Sequence, residues 1–153
     1  MTKKNNQENR YAWKCRISKN FDESEFSCCC CGKNKVAGEL VAKLQELRDI
    51  INKPIHITSG YRCKRENKKV GGSVHSAHLL GEGADIQTEL STITLAMIAC
   101  KIDGIRIGIY PNHIHIDVRP ANPSKYWLVK KYNQAPIYSK RENNLAKFLK
   151  NNL

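Results

Sequence analysis

The clearest hydrophobic pattern lies between residues 105 and 118, where apolar and polar positions alternate. The apolar positions of this stretch are all isoleucine or valine: Ile105, Ile107, Ile109, Ile114, Ile116 and Val118. Alternation with a period of two is typical of strands with one buried face, and the break at Pro111-Asn112 predicts a turn. The stretch is therefore predicted to be a hairpin with one apolar face and one functional face.

The register of this hairpin depends on the length of its loop. A two-residue loop at Pro111-Asn112 places Gly108 opposite His115 and Arg106 opposite Asp117. Pro-Asn is not among the sequences that two-residue hairpin loops favour, so the prediction rests on the alternation alone. This register brings a histidine and a carboxylate to the middle of the functional face.

Apolar residues recur at helical spacing in two other segments. Between Val36 and Ile51 they lie three or four positions apart, which predicts an amphipathic helix that ends before Pro54. A second helix is predicted over residues 91–100, with Ser91 or Thr92 as its N-cap.

Shorter elements complete the predicted domain. Pro54–Ser59 and Ala84–Gln87 read as strands, Gly71-Gly72 closes a charged and partly helical segment, and Ser139–Leu153 is predicted to be a third helix. Together these elements predict an α+β fold. We expect a small antiparallel β-sheet, with helices against one of its faces and the functional side chains on the other.

The chain has 153 residues, which favours one domain with a proper core. We predict a flexible basic segment over residues 1–20, the folded domain over 21–130, and a basic C-terminal extension with the third helix over 131–153. No apolar run approaches the roughly 20 residues of a membrane span. Residues 1–10 lack the apolar stretch of a secretory signal, so synthesis in the cytoplasm is expected.

The net charge of +12 favours anionic polymers such as nucleic acid, acidic membranes or a phosphate-rich cell wall. The charge does not choose among these partners. A nucleic-acid-binding protein with cysteine-bound zinc is one hypothesis, and it ranks last. The chain has no second cysteine pair and no run of aromatic residues on which bases would stack.

The seven cysteines are an odd number, so they cannot all pair within one chain. Residues 28–31 are four consecutive cysteines, and Cys15, Cys63 and Cys100 stand alone. The first and last of the run have the spacing of one zinc-binding pair, but a structural zinc site usually shows two such pairs. A metal site and disulfides to Cys15 or Cys63 stay open, and free or buried thiols are the favoured interpretation.

The residues best able to carry chemistry stand in two short segments. His78 and Asp85 flank a glycine-rich turn that lets both side chains converge, and His113, His115 and Asp117 share one strand face. Imidazole and carboxylate are usual zinc ligands, and a catalytic zinc needs three protein ligands and an open position for water. We therefore predict that His78, Asp85 and His115 bind a catalytic zinc ion.

Further motifs occur around these segments in a specific order: Ser59-Gly60-Tyr61-Arg62, Asn67, Val70-Gly71-Gly72, Ser76, His78, Gly81, Gly83, Asp85, His113, His115 and Asp117. In this pattern the chain resembles the zinc D-alanyl-D-alanine carboxypeptidase family. That family includes phage endolysin peptidases and shares its fold with the hedgehog signalling domain. The resemblance extends from Phe21 to about Trp127 and does not cover the tail.

The resemblance implies a zinc metallopeptidase that cuts amide bonds in the stem peptides of bacterial peptidoglycan, as a D,D-carboxypeptidase or an endolysin-type endopeptidase. It implies that Arg62 steadies the substrate carbonyl or its oxyanion, that Ser76 contacts substrate, and that His113 is an accessory histidine beside the metal. A phage or prophage lysin would reach the wall after release from the cell. Anionic wall polymers would attract its positive surface.

One position departs from the family. Many members carry a Glu or Asp three residues before the last ligand as general base, and this chain has Asn112 there. Asp117 and His113 are the two remaining candidates for the base. Asp117 has an alternative role, pairing with Arg106 or orienting a ligand. The loss of the usual base also leaves a second functional hypothesis, a catalytically inactive, zinc-stabilised module that binds the cell wall.

Overall fold

The computed structural model describes residues 16–121, 124–139 and 144–153, which form an α+β fold around a six-stranded sheet. The strands are β1 (His56–Ser59), β2 (Gly83–Gln87), β3 (Arg106–Ile109), β4 (Ile114–Asp117), β5 (Tyr126–Leu128) and β6 (Ile137–Tyr138). The helices are α1 (Gly38–Ile51), α2 (Lys64–Lys69), α3 (Thr92–Ala99) and α4 (Leu145–Asn152), with 3-10 turns at Glu23–Phe26 and Ala77–Leu80. The predicted fold class is confirmed. Within the described residues, no helix has the length and apolar character needed to span a membrane.

The hairpin of β3 and β4 has the predicted register. Gly108 lies opposite His115, and Arg106 lies opposite Asp117. The two residues that flank Pro111-Asn112 are joined by a backbone hydrogen bond of 3.0 Å, so the loop is the two-residue loop expected. The alternation of buried isoleucines with polar residues was sufficient to set this register, because a slip of one position would expose the apolar face.

The predicted helices α1 and α3 are confirmed. Helix α1 begins at Gly38 and ends at Ile51, where Asn52 adopts a left-handed conformation with φ of 49° before Pro54 ends the helical segment. The side chain of Ser91 accepts a hydrogen bond from the backbone of Thr94, which identifies Ser91 as the N-cap of α3.

The core lies on one face of the sheet. It joins α1, α3 and α4 to the isoleucines of the central strands: Ile86, Ile107, Ile109, Ile114 and Ile116. Side chains alternate between the faces of a strand, so the residues between these isoleucines point to the opposite face. The sheet thus separates the core from the polar residues of the predicted site.

The site lies in the middle of the sheet because of the strand order β1-β2-β4-β3-β5-β6. One row of cross-strand neighbours runs through all six strands: Ser59, Asp85, His115, Gly108, Trp127 and Tyr138. All pairings are antiparallel except that of β3 with β5. Strands β5 and β6 were not predicted, and they place two aromatic residues beside the hairpin.

The C-terminal helix is shorter than predicted. Ser139 exchanges hydrogen bonds with Tyr126 of β5, so the sheet holds the residue at which the helix was expected to begin. Helix α4 begins at Leu145, and its apolar residues Leu145, Phe148 and Leu149 are buried as expected. Residues 140–143 lie outside the described part of the chain.

The predicted flexible basic segment is only partly described. Residues 1–15, including Cys15, lie outside the described ranges, so a disulfide to Cys15 stays a prediction. Residues 16–20 contact the folded part, and the Ser18 hydroxyl donates a hydrogen bond of 2.9 Å to Gln45 of α1. The division of the chain at residues 20 and 130 stays a prediction.

Candidate metal centre

The three predicted zinc ligands converge on the polar face of the sheet. His78 comes from the 3-10 turn before β2, Asp85 from the middle of β2, and His115 from β4. Nε2 of His78 lies 3.2 Å from Oδ1 of Asp85 and 3.1 Å from Nδ1 of His115. Nδ1 of His115 lies 2.9 Å from the same Asp85 oxygen. All three residues are buried, with exposed fractions of 2% to 8%.

The outer ring nitrogens of both histidines have hydrogen-bond partners. Nδ1 of His78 donates to the backbone oxygen of Gly60 at 2.6 Å, and Nε2 of His115 donates to Oδ2 of Asp117 at 3.2 Å. In the neutral imidazoles, the inner nitrogens therefore present lone pairs to each other and to Asp85. This is the arrangement in which protein groups behind the ligands orient histidines toward a metal.

This donor set fits a zinc ion. Three acceptor atoms separated by 2.9 to 3.2 Å repel one another, and a cation between them removes that repulsion. Ligands at about 2.0 to 2.2 Å from a tetrahedral zinc ion stand roughly 3.4 Å apart, which is close to these separations. Two imidazoles and one carboxylate also leave one position open, as catalytic zinc requires.

The electrostatics favour the metal-binding protonation states of Asp85 and His78, but not that of His115. Burial would raise the pKa of Asp85, but protons on the inner nitrogens of His115 and His78 would hydrogen-bond to its carboxylate, and these interactions hold that pKa well below its usual range. Burial lowers the pKa of His78. Burial would also lower the pKa of His115, but hydrogen bonds with Asp117 and Asp85 raise it. A proton and a metal ion therefore compete for Nδ1 of His115.

Asp117 is fully buried and has no free acceptor position. Arg106 donates to both of its oxygens at 2.8 Å, and the backbone of Arg119 donates to Oδ1 at 3.0 Å. Burial would raise the pKa of Asp117, but its hydrogen bonds with His115 and Arg106 outweigh burial and lower it. The carboxylate is therefore a permanent anion behind His115.

His113 lies at the edge of the metal centre. Its Nε2 is 3.9 Å from Oδ1 of Asp85, and its ring stacks on Tyr110 at 4.5 Å. Its Nδ1 is 2.9 Å from the side-chain oxygen of Asn112. Burial lowers the pKa of His113, so the ring is neutral near pH 7. When Nδ1 donates to Asn112, Nε2 is free to accept a proton.

Arg62 and Ser76, the predicted substrate contacts, lie beside the same three ligands. The Arg62 guanidinium contacts Oδ2 of Asp85, and its Nε donates to the Ser59 hydroxyl at 2.8 Å. The Ser76 hydroxyl accepts a hydrogen bond of 3.3 Å from the backbone of His78. Both side chains line the groove above the metal centre.

The groove above the centre has a volume of about 1170 Å³. Its basic side chains include Arg62, Arg106 and Arg119. Its aromatic side chains are Tyr110, Trp127, Tyr132 and Tyr138. Sequence reasoning missed this aromatic wall. The available signal was the density of aromatic residues between positions 126 and 138, just past the end of the resemblance.

Gly108 leaves room for the indole ring of Trp127, whose centroid lies 5.4 Å from that of His115. A Cβ atom at position 108 would lie 2.4 Å from the indole. We expect Gly108→Ala to lower the free energy of unfolding by about 1 to 3 kcal/mol, because the buried ring must shift. Urea unfolding followed by circular dichroism measures the change.

Gly38→Ala is the matched control, because a Cβ at position 38, at the start of α1, meets nothing within 4 Å. Its free energy of unfolding should equal or exceed that of the wild type. If Gly108→Ala unfolds at the same urea concentration as Gly38→Ala, the proposed steric role of Gly108 is wrong.

A comparison with known families agrees with this geometry. A family model described as Peptidase M15 matches residues 19–117, a span that includes the whole of β1 to β4 and all three candidate ligands. No curated protein matches the chain. The match confirms the resemblance drawn from the sequence motifs.

Proposed function

Because this chain belongs to the peptidase M15 family, whose members are zinc peptidases, we propose that it cleaves amide bonds in the stem peptides of bacterial peptidoglycan. The convergence of the donor atoms of His78, Asp85 and His115 at the base of a large groove carries this proposal. A D,D-carboxypeptidase and an endolysin-type endopeptidase share this chemistry. The role as a phage lysin stays a prediction.

Nε2 of His78, the carboxylate of Asp85 and Nδ1 of His115 would hold the zinc ion. When bound, zinc supplies a Lewis acid that polarises a carbonyl group and lowers the pKa of water. The hydrogen bonds from His78 to Gly60 and from His115 to Asp117 keep the two rings aimed at the ion. The protein therefore provides the centre in a preorganised form.

Arg62 is proposed to donate hydrogen bonds to the scissile carbonyl oxygen as negative charge develops on it. A guanidinium held at a fixed place stabilises such an oxyanion without reorganising during the reaction. Ser59 and Asp85 hold Arg62 from two directions, at the edge of the groove. Ser76 is proposed to contact the peptide backbone from the same wall.

His113 is proposed to be the general base, and Asp117 a positioning residue. A base must be able to accept a proton near the operating pH, and the neutral His113 ring has that capacity beside Asp85. Asp117 is buried beneath His115, and Arg106 and Arg119 occupy its oxygens. Its carboxylate would act by holding His115 in place.

The charge and shape of the groove support a stem-peptide substrate. Stem peptides carry carboxylates, and Arg106 and Arg119 lie along the groove with exposed side-chain fractions of 15% and 28%. Tyr132 and Tyr138, both half exposed, offer apolar surface to a peptide. The net charge of +12 would add attraction to anionic wall polymers.

Digestion of purified peptidoglycan, and of defined stem peptides, tests the proposed function. We expect mass spectrometry to detect peptide fragments with one new carboxyl and one new amino terminus. A chelator should abolish their release, and added zinc should restore it, because the proposed reaction depends on the Lewis acid that zinc supplies. Product masses identify the bond that is cut. Equal release with and without chelator would contradict the proposal.

Asn112 supports a second candidate, an inactive wall-binding module of the same fold. Its amide stands where many members of the family carry a carboxylate base, and it cannot accept a proton from water. The same assay separates the two functions. A protein that binds zinc and sediments with peptidoglycan, but releases no fragments, would be the binding module.

A further inference from the structure

A second cluster of potential metal ligands lies outside the catalytic centre. The sulfur atoms of Cys28, Cys31 and Cys63 all lie within 4.8 Å of one another. Cys28 and Cys31 belong to the loop after the first 3-10 turn, and Cys63 directly precedes α2. The cluster therefore joins two segments that are separated by about thirty positions in the sequence.

A tight turn brings Cys28 and Cys31 together. The backbone of Cys28 donates to the oxygen of Lys33 at 2.8 Å, and the backbone of Gly32 donates to the oxygen of Cys28 at 2.8 Å. Gly32 has φ of 68°, a conformation that glycine adopts without strain. Two cysteines separated by two residues and held in a turn are the usual half of a structural zinc site.

Cys63 completes the cluster from the other side. Its backbone N–H donates to the sulfur of Cys28 at 3.4 Å, and the backbone of Glu66 donates to the sulfur of Cys63 at 3.5 Å. Burial would raise the pKa of Cys28, but backbone N–H groups of Cys63, Cys30 and Cys31 lower it to about 7. Hydrogen bonds of this kind stabilise the thiolate, which is the form that binds metal.

The other two cysteines of the run have different surroundings. Arg65 donates to the sulfur of Cys30 at 2.9 Å. Cys29 is exposed and does not belong to the cluster. Of the four consecutive cysteines, only Cys28 and Cys31 therefore have sulfur atoms close to that of Cys63. Cys29 and Cys30 can serve as controls.

We propose that Cys28, Cys31 and Cys63 bind a structural zinc ion, separate from the catalytic ion. Zinc is readily bound by soft thiolate ligands, and three thiols lie within reach of one ion here. A disulfide would use two of these cysteines and leave the third unpaired. Structural zinc is almost always four-coordinate, so one further ligand completes the site. A structural zinc site usually has two cysteine pairs, and here a single distant cysteine takes the place of the second pair.

The cysteine cluster lies next to Arg62, which lines the catalytic groove. Cys63 follows Arg62 directly, and the backbone of Tyr61 donates to the oxygen of Phe26 at 2.8 Å. An ion bound by the three thiolates would tie the loop after Phe26 to the segment that carries Arg62. The site would thereby help to position the guanidinium at the catalytic groove.

Cobalt substitution of the full-length chain tests this proposal under reducing conditions. Cobalt bound by thiolates shows a sulfur-to-metal charge-transfer band, which the catalytic donors, nitrogen and oxygen atoms, do not produce. We expect this band in the wild type and its loss in Cys31→Ser and Cys63→Ser. Cys31 is exposed, so its replacement leaves the core intact. Zinc content should fall from two ions per chain to one.

Cys29→Ser and Cys30→Ser are the matched controls and should keep the band and both zinc ions. His115→Ala should keep the band and lose the other ion, so a chain that fails to cleave stem peptides can still show the thiolate site. A wild type without the band, or a band that survives Cys31→Ser, would overturn the proposal. So would peptide mapping that finds Cys63 in a disulfide with Cys28 or Cys31 in the purified chain.

Discussion

Replacing His115 with alanine is expected to abolish stem-peptide cleavage, with a loss of at least about 10³-fold in kcat/KM. His115 supplies one of three donors, and its Nδ1 lies 3.1 Å and 2.9 Å from the other two. The metal contributes several kcal/mol of transition-state stabilisation, and each 1.36 kcal/mol corresponds to about tenfold in rate. Product release from a defined stem peptide, measured together with zinc content, checks the result.

His56→Ala is the matched control for this variant. His56 is an exposed histidine on β1 and is not one of the groove-lining residues, so its replacement should leave both activity and zinc content unchanged. Far-ultraviolet circular dichroism should show that both variants are folded. Activity of folded His115→Ala within tenfold of His56→Ala would show that His115 is not a ligand of the catalytic ion.

Two further variants distinguish the proposed general base, His113, from Asp117, which is proposed to position His115. His113→Ala is expected to lower kcat by roughly 10²- to 10⁴-fold, the usual contribution of a general base, with unchanged zinc affinity. Asp117→Asn is expected to weaken zinc binding by about 10- to 100-fold, because His115 loses its buried anionic partner. Excess zinc should then restore most of the activity of Asp117→Asn.

Two titrations distinguish these outcomes. Activity measured against zinc concentration gives the affinity of each variant, and kcat at saturating zinc gives the contribution to the chemical step. Asp117 is fully buried and paired with Arg106, so thermal unfolding must show that Asp117→Asn is folded at the assay temperature. If saturating zinc rescues His113→Ala but not Asp117→Asn, the two assignments must be exchanged.

Local pattern in the chain was enough to predict strands β2, β3 and β4, two of which carry the candidate ligands Asp85 and His115. The alternation around Pro111-Asn112 predicted the register of β3 and β4, and therefore the neighbours of His115 and Asp117. Such patterns work because the periods of strands and helices are properties of a few consecutive residues. The candidate ligands also lie in short segments with an unusual combination of residues. His78 and Asp85 could therefore be nominated before the fold was known.

The aromatic wall and the different surroundings of His113 and Asp117 were not accessible in this way. Trp127 reaches the site because β5 pairs with β3 in parallel, and nothing in the local sequence specifies that pairing. Asp117 and His113 differ in what surrounds them. Arg106 donates to both oxygens of Asp117, whereas Nε2 of His113 lies 3.9 Å from Oδ1 of Asp85.

The residues along the chain were sufficient to identify a member of the peptidase M15 family, to predict its α+β fold and to nominate three candidate ligands. Motif order and periodicity are properties of short segments, so both can be recognised before the fold is known. Folding alone brought Cys63 to Cys28 and Cys31, and built one groove from the hairpin and strands β5 and β6. Contacts between segments that are far apart in the sequence depend on how buried surfaces fit together. The pattern of residues within a short segment does not show that fit. For the same reason, the directions of the pKa shifts of His78, Asp85, His113 and His115 follow only from their neighbours in space.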